Sequence, residues 1–139
     1  MPFSYDTAFT WPFPVLPVVI HQVEGEAATA PLTALLDTGA DITLVPAAYL
    51  RAIQADETYT AQMRSQWGAP FPVTIHLIDL EIAGQRLPAV EVAADDVGED
   101  ILLGRNVLNE LILLLDGPRA QADVLTRRQA DRSRAAQGR

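Results

Sequence analysis

The sequence predicts an all-β fold with one or two short helices, and three observations carry that expectation. Its apolar residues fall in short runs rich in Val, Ile and Leu, the composition of strands that are at least half buried. Turn signals separate those runs: Glu24-Gly25-Glu26, Trp67-Gly68-Ala69-Pro70, Ala83-Gly84-Gln85 and Asp116-Gly117. Helical spacing inside the body of the chain is confined to the residues after Pro46, up to Ile53, and to Val107–Leu111.

Residues 1–14 carry Pro2, Pro12 and Pro14 among Phe3, Tyr5, Phe9, Trp11 and Phe13. That much proline forbids a helix, so the segment is expected to be an extended arm docked by its aromatics. Val15–Ile20 and Leu32–Leu36 read as a hairpin, and the second strand runs directly into the polar stretch Asp37-Thr38-Gly39-Ala40-Asp41 before apolar chain resumes at Ile42, Leu44 and Val45. A polar loop held between buried strands is a common place for chemistry. Pro46 opens a short helix from its first turn. A second hairpin is expected around Met63–Pro72, with Gly68 near its tip, followed by alternation through Val73, Ile75 and Leu77.

The meander continues through Leu80–Ile82 and Leu87–Val92 to the acidic loop Asp95, Asp96, Glu99 and Asp100, then Ile101-Leu102-Leu103-Gly104-Arg105-Asn106. Ile112–Leu115 reads as a strand buried on both faces, turned at Asp116-Gly117 against a return strand near 119–125. Residues 15–125 are thus expected to form one domain. Residues 126–139 form an Arg-rich tail, either a frayed helix or a disordered end.

Composition narrows the function classes. The chain has 139 residues, 49% hydrophobic and 20% charged, without Cys, and its mean hydropathy is +0.11. This fits one soluble domain, expected to be cytoplasmic. Thiol chemistry and Cys-type zinc sites are excluded, and His21 and His76 make a thin basis for any metal, so no cofactor or metal is expected. Both histidines read as structural. The acidic loop lacks the alternating ligand spacing of an EF-hand and reads as solvated. No apolar run approaches the roughly 18 residues of a membrane span. Residues 1–117 hold 16 acids against 4 Arg, whereas residues 118–139 hold 6 Arg against 2 Asp, so a body of −12 precedes a tail of +4. An acidic body disfavours nucleic acid as a partner, because phosphate neutralisation supplies most of that affinity.

The loop can be read from its residues. Gly39 permits a tight backbone path with an N–H beside the carboxylate, Thr38 supplies a hydroxyl, and Asp37 is the acid at the loop's start. Two close carboxylates share a proton, and such a pair can act as base towards water and as acid towards a carbonyl oxygen. This chain has one Asp-Thr-Gly and no second Asp-Thr-Gly or Asp-Ser-Gly. A carboxylate pair of this kind therefore needs two chains.

Leu35-Leu36-Asp37-Thr38-Gly39-Ala40-Asp41, with Ile101-Leu102-Leu103-Gly104-Arg105-Asn106-Val107-Leu108 some sixty residues later, resembles the retropepsins. These are the single-lobed aspartic proteases of retroviruses and their cellular and bacterial relatives, and the resemblance covers roughly residues 15–125. It implies a closed acid-protease β-barrel with a flap hairpin, and a homodimeric aspartic endopeptidase that hydrolyses peptides. It further implies Asp37 as catalytic acid/base, Thr38 as a lock across the dimer axis, Gly39 and Ala40 against the substrate backbone, and Asp41 at the cleft edge paired with Arg105, either as a structural ion pair or in direct substrate recognition. Leu44 and Leu102 would line apolar subsites or serve as core. The hairpin at Trp67 and Gly68 takes the place of the flap, although Ala69, Pro70 and Pro72 replace the viral glycines; Trp67 would touch substrate, touch the second subunit or pack. The C-terminal hairpin is closer to the cellular and bacterial members, where it enlarges the dimer interface. A different class of function stands beside this one: a dimeric binding or assembly module of the same fold with little or no proteolysis.

Overall fold

The computed structural model describes residues 2–65 and 67–138. Its elements in chain order are β1 (Phe3–Ser4), β2 (Val15–His21), β3 (Leu32–Leu36), β4 (Thr43–Pro46), α1 (Ala47–Ala52), β5 (Asp56–Met63) and β6 (Phe71–Ile82). There follow β7 (Gln85–Asp95), β8 (Ile101–Leu103), α2 (Arg105–Leu108), β9 (Leu113–Asp116), β10 (Gln121–Val124) and α3 (Arg127–Gln137).

β2, β3, β8, β4, β7 and β6 pair in that order, and β6 returns to pair with β2, so six strands close a barrel to which β5 is appended. β3 is parallel to β8 and β4 is parallel to β7, while the other pairings are antiparallel. The expected closed barrel is therefore present. Closure leaves the barrel strands no free edge, and inward positions alternate accordingly. Leu16, Val18 and Ile20 on β2 lie beside Ile78, Leu80 and Ile82 of the paired β6 in a core completed by Val45, Leu50, Val92 and Leu103, all essentially inaccessible to solvent. Fully burying each such side chain is worth about 1.5–3 kcal/mol. The β6 register shifts between Ile78 and Leu80, which turns Asp79 outward to accept from Arg86.

α1 and α2 are the short helices of the body, and the Arg-rich segment is helical over Arg127–Gln137, where Thr126 and Gln129 form a reciprocal capping box and Ala130 buries its side chain. One expectation is corrected. The β9–β10 connection is not a two-residue turn at Asp116-Gly117. It is a four-residue loop ending at Ala120, whose φ is 51°, and Asp116 Oδ1 accepts from the Arg119 N–H. Burial of Ile112–Leu115 on both faces is expected to need more than a monomer provides, and within the single chain Leu114 is 48% and Leu115 49% exposed. The arm is tied down: Phe3 and Ser4 pair with Ala122 and Gln121, making the three-stranded sheet β1-β10-β9, and Asp6 bridges to Phe13.

The tightest point of the fold is the end of β8. β8 lies between β3 and β4, so the chain leaving it at Gly104 passes under the segment that enters β4. A Cβ built on Gly104 would lie 2.5 Å from the Ile42 carbonyl carbon and oxygen. The Gly104 backbone is extended (φ −87°, ψ 179°), so glycine is needed for the close approach and not for its torsion angles. Thr43, fully buried, accepts the Gly104 N–H on its hydroxyl at 3.0 Å, while its own N–H and hydroxyl both donate to Asn106 Oδ1 at 3.0 and 2.9 Å. Asn106 Nδ2 then donates to the Glu91 carbonyl at 2.8 Å.

Two substitutions test this clamp at fixed protein concentration. Gly104→Ala forces backbone apart and is expected to lose about 1–3 kcal/mol, the usual loss for overpacking, whereas Gly117→Ala, with nothing within 4 Å of the new Cβ, leaves the urea midpoint where it is. Thr43→Val keeps the shape but leaves the Gly104 N–H and Asn106 short of partners in a buried place, and is expected to lose about 1–3 kcal/mol. Equal midpoints for Gly104→Ala and Gly117→Ala would remove the crossing as a structural constraint.

Candidate active site

β3 ends at Leu36, and Asp37 is the first residue beyond it. The Asp37 N–H donates to the Leu103 carbonyl at 3.0 Å, and its own carbonyl accepts from the Ala40 N–H at 3.2 Å. The Gly39 N–H donates to Asp37 Oδ1 at 2.9 Å, which orients the half-buried carboxylate. A Cβ on Gly39 would stand 3.1 Å from that same oxygen, closer than most side chains tolerate. Two further bonds fasten the loop to the start of α2: the Arg105 N–H donates to the Ala40 carbonyl at 2.8 Å, and Arg105 Nη1 donates to the Thr38 carbonyl at 2.9 Å. The loop is thus held on the β8–α2 junction by the same segment that Thr43 and Asn106 clamp.

Asp37, Gly39, Ala40 and Asp41 line a cleft of about 500 Å³ whose other wall is Tyr59, Met63 and Arg64 from β5 and its end, and Val73 and Ile75 from β6. One wall is therefore the polar loop, and the other the tip-proximal half of the β5–β6 hairpin. Volume and mixed lining suit an extended peptide better than a compact, fully enclosed ligand. Tyr59 Oη donates to Glu91 Oε2 at 2.8 Å. That hydrogen bond, with smaller contributions from desolvation and from the Glu91 charge, raises the Tyr59 phenol above its ordinary 10.0. A separate depression of about 440 Å³, lined by Phe3, Pro17, Val19 and Val124 among others, has Glu81 as its one ionisable side chain among the described residues. It offers no chemistry comparable to the loop.

The remaining sequence candidates are placed as follows. Leu44 faces a neighbouring depression of about 310 Å³ with Met63, Phe71 and Val73, and does not line the first cleft. Leu102 is half-buried, in register with Leu35 and Leu44. Trp67, 91% exposed, and Gly68 lie in the β5–β6 connection and line neither depression. The Asp41–Arg105 ion pair is not formed: among the described residues no salt bridge joins them, because the Arg105 guanidinium is taken up by the Thr38 carbonyl and Asp41 is exposed. His76 is buried on β6 and His21 is half-buried on β2, with Nε2 atoms 3.8 Å from Glu57 and 3.7 Å from Glu81, and neither lines the cleft. Asp95 Oδ1 accepts the N–H groups of Val97 and Gly98, which makes the acidic loop a self-satisfied turn.

Sequence reasoning missed Thr43, Asn106, Tyr59 and Glu91. Asn106 sits in the quoted Gly-Arg-Asn segment, and that adjacency was the available signal. Nothing local announces that Asn106 reaches Thr43, 63 residues away.

Residues 23–110, more than half of the chain, match the family described as "gag-polyprotein putative aspartyl protease". No curated protein sequence matches the chain. Among solved structures, the chain is similar to a retropepsin-like aspartic protease from Rickettsia conorii, with a TM-score of 0.57, 15% identity, and coverage of 90% of this chain and 97% of the other. It is also similar to the simian foamy virus (mac) protease, with a TM-score of 0.51, 24% identity, and coverage of 68% and 91%. Against the foamy viral protease–reverse transcriptase the TM-score is 0.52 at 20% identity, over 70% of this chain, which spans 15% of that longer protein. Barrel topology, loop and family match agree, and the chain belongs to the gag-polyprotein aspartyl protease family, with a single-lobed retropepsin fold.

Proposed function

We propose that this protein is an aspartic endopeptidase whose active site is completed by a second copy of the same chain. The observation that carries this reading is the Asp37 loop, a carboxylate oriented by the Gly39 N–H at the floor of a peptide-sized cleft, in a chain with one such motif. In a two-fold dimer the two Asp37 carboxylates share one proton. The ionised member takes a proton from water as the water oxygen bonds to the peptide carbonyl carbon, while the protonated member gives its proton to the carbonyl oxygen. The resulting tetrahedral diol collapses as the C–N bond breaks: the first carboxyl passes the water's proton to the leaving nitrogen, and one hydroxyl of the diol returns its proton to the other carboxylate, so the pair again holds one proton. The Thr38 hydroxyl, which has no partner among the described residues, is then available to the opposite loop. Met63, Val73 and Ile75 favour apolar residues beside the scissile bond.

The homodimer has further support. Leu114 and Leu115 are half exposed on β9, which is the free edge of the three-stranded sheet. Adjacent exposed leucines on an unpaired edge are an unstable surface for a monomer and a suitable one for an isologous contact. The alternative reading, a dimeric binding module, predicts the same assembly without hydrolysis.

Asp37→Asn is expected to remain folded and dimeric and to lose peptide hydrolysis by about 10²–10⁴-fold, the range of general acid–base catalysis. A peptide library incubated from acid to neutral pH, with dimer content measured in parallel, reads it. Full activity in the variant eliminates the mechanism, and an inactive wild-type dimer selects the binding module. Leu114→Glu with Leu115→Glu is expected to shift the protein to monomer in sedimentation velocity and to abolish hydrolysis at the same concentration; an active monomer contradicts the shared site.

A further inference from the structure

β5 is the least supported wall of the cleft. It supplies Tyr59, Ala61 and Met63 to the lining, yet no residue of Asp56–Met63 is buried, and the strand pairs with β6 alone. Its ladder is interrupted between Glu57 and Tyr59. A strand with so little buried apolar surface has no packing of its own to fix its place above the cleft. Thr58 Oγ1 donates to the Ile75 carbonyl at 3.0 Å and Glu57 lies 3.8 Å from His76 Nε2, but both partners are on β6. Among the described residues, one side-chain bond carries β5 past β6: Tyr59 Oη donates to Glu91 Oε2 on β7 at 2.8 Å. A carboxylate acceptor makes this the stronger kind of hydrogen bond. That bond, before desolvation and the Glu91 charge, raises the Tyr59 phenol above 10.0, so Tyr59 stays a protonated donor.

Glu91 serves both walls of the cleft. Its side chain holds Tyr59, while its backbone carbonyl accepts from Asn106 Nδ2 at 2.8 Å. Asn106 is bonded in turn to Thr43, and Arg105 beside it fastens the Asp37 loop through the carbonyls of Thr38 and Ala40. Tyr59 lines the cleft and Glu91 does not. We propose that Tyr59 and Glu91 are positioning residues for substrate: their hydrogen bond holds the β5 wall in place opposite the Asp37 wall, so that an extended peptide meets a groove already formed. The peptide then does not have to order the strand as it binds, and preorganisation of this kind is read in KM more than in the chemical step. This deepens the endopeptidase reading above and rests on it.

Because Glu91 is outside the cleft lining, Glu91→Ala breaks the bond without removing a group that faces substrate. In peptide hydrolysis, Tyr59→Phe and Glu91→Ala are each expected to raise KM about three- to tenfold, the factor carried by ordering one or two side chains, with kcat within about twofold of wild type. The double variant is expected to be no worse than either single one, since both remove the same bond. Glu91→Gln keeps a carbonyl acceptor and is expected to recover most of the wild-type KM. Phenolate absorbance, read against the matching Tyr59→Phe protein, is expected to titrate closer to 10.0 in Glu91→Ala than in wild type. A wild-type KM in either single variant overturns the proposal; in Glu91→Ala alone it means that substrate takes the phenol directly. Effects that add in the double variant, or a phenol titration that Glu91→Ala leaves unmoved, overturn it as well. None of these outcomes touches Asp37. The endopeptidase reading fails instead if the wild-type dimer cleaves no peptide, and peptide affinity by calorimetry in the same variants, with the phenol titration, then decides the role of the pair.

Discussion

The crossing of Gly104 beneath Ile42 is the contact on which both the barrel and the loop depend. Inserting β8 between β3 and β4 creates two ladders at once, and it forces the chain leaving β8 to pass backbone against backbone under the entry to β4. Such an approach would strand polar groups in the core unless they were paired. Thr43 and Asn106 supply that pairing, and the Asn106 amide extends it to β7 through the Glu91 carbonyl. Removing a side chain at Gly104 and placing a hydroxyl at Thr43 are thus two halves of one solution.

The same arrangement positions the chemistry. Because Arg105 follows Gly104 directly, its N–H and guanidinium reach the carbonyls of Ala40 and Thr38, and Leu103 accepts from the Asp37 N–H. The loop is held by backbone groups at three of its residues, leaving the Asp37 and Thr38 side chains unconsumed by the scaffold apart from the Gly39 N–H on Asp37. Rigid support with free functional groups is what a preorganised site requires. Asp41 illustrates the consequence of spending a cation elsewhere: once Arg105 serves the Thr38 carbonyl, the neighbouring carboxylate remains at the cleft wall, facing solvent.

The unfinished surfaces of the single chain lie on connected elements. The β9 edge with Leu114 and Leu115 and the Asp37 loop are joined through β1, β10 and the β2–β3 pair. In the proposed dimer, burying exposed leucine would supply free energy of association against the self-repulsion of the acidic body, at −12 over residues 1–117. Salt, which screens that repulsion, and apolar contact act in the same direction here.

Local pattern carried a good part of this protein into the sequence. Leu32–Leu36 is a strand with the bounds read from composition, the β2–β3 and β5–β6 hairpins form where Gly25 and Gly68 signal turns, and Asp37-Thr38-Gly39 begins at a strand end because apolar residues stop there. These features depend on neighbours a few residues apart. Tertiary structure decided what depends on distant neighbours. The partner of Arg105 is a carbonyl and not Asp41, since the guanidinium reaches whichever acceptor the crossing presents first. The clamp joins Thr43 to residues more than sixty positions away, and Tyr59 enters the cleft wall only because β5 is laid against β6. The single Asp-Thr-Gly could be counted in the sequence, whereas the exposure of Trp11, Leu114 and Leu115 emerged only when the barrel closed and left them outside it, because burial is a property of the packed whole.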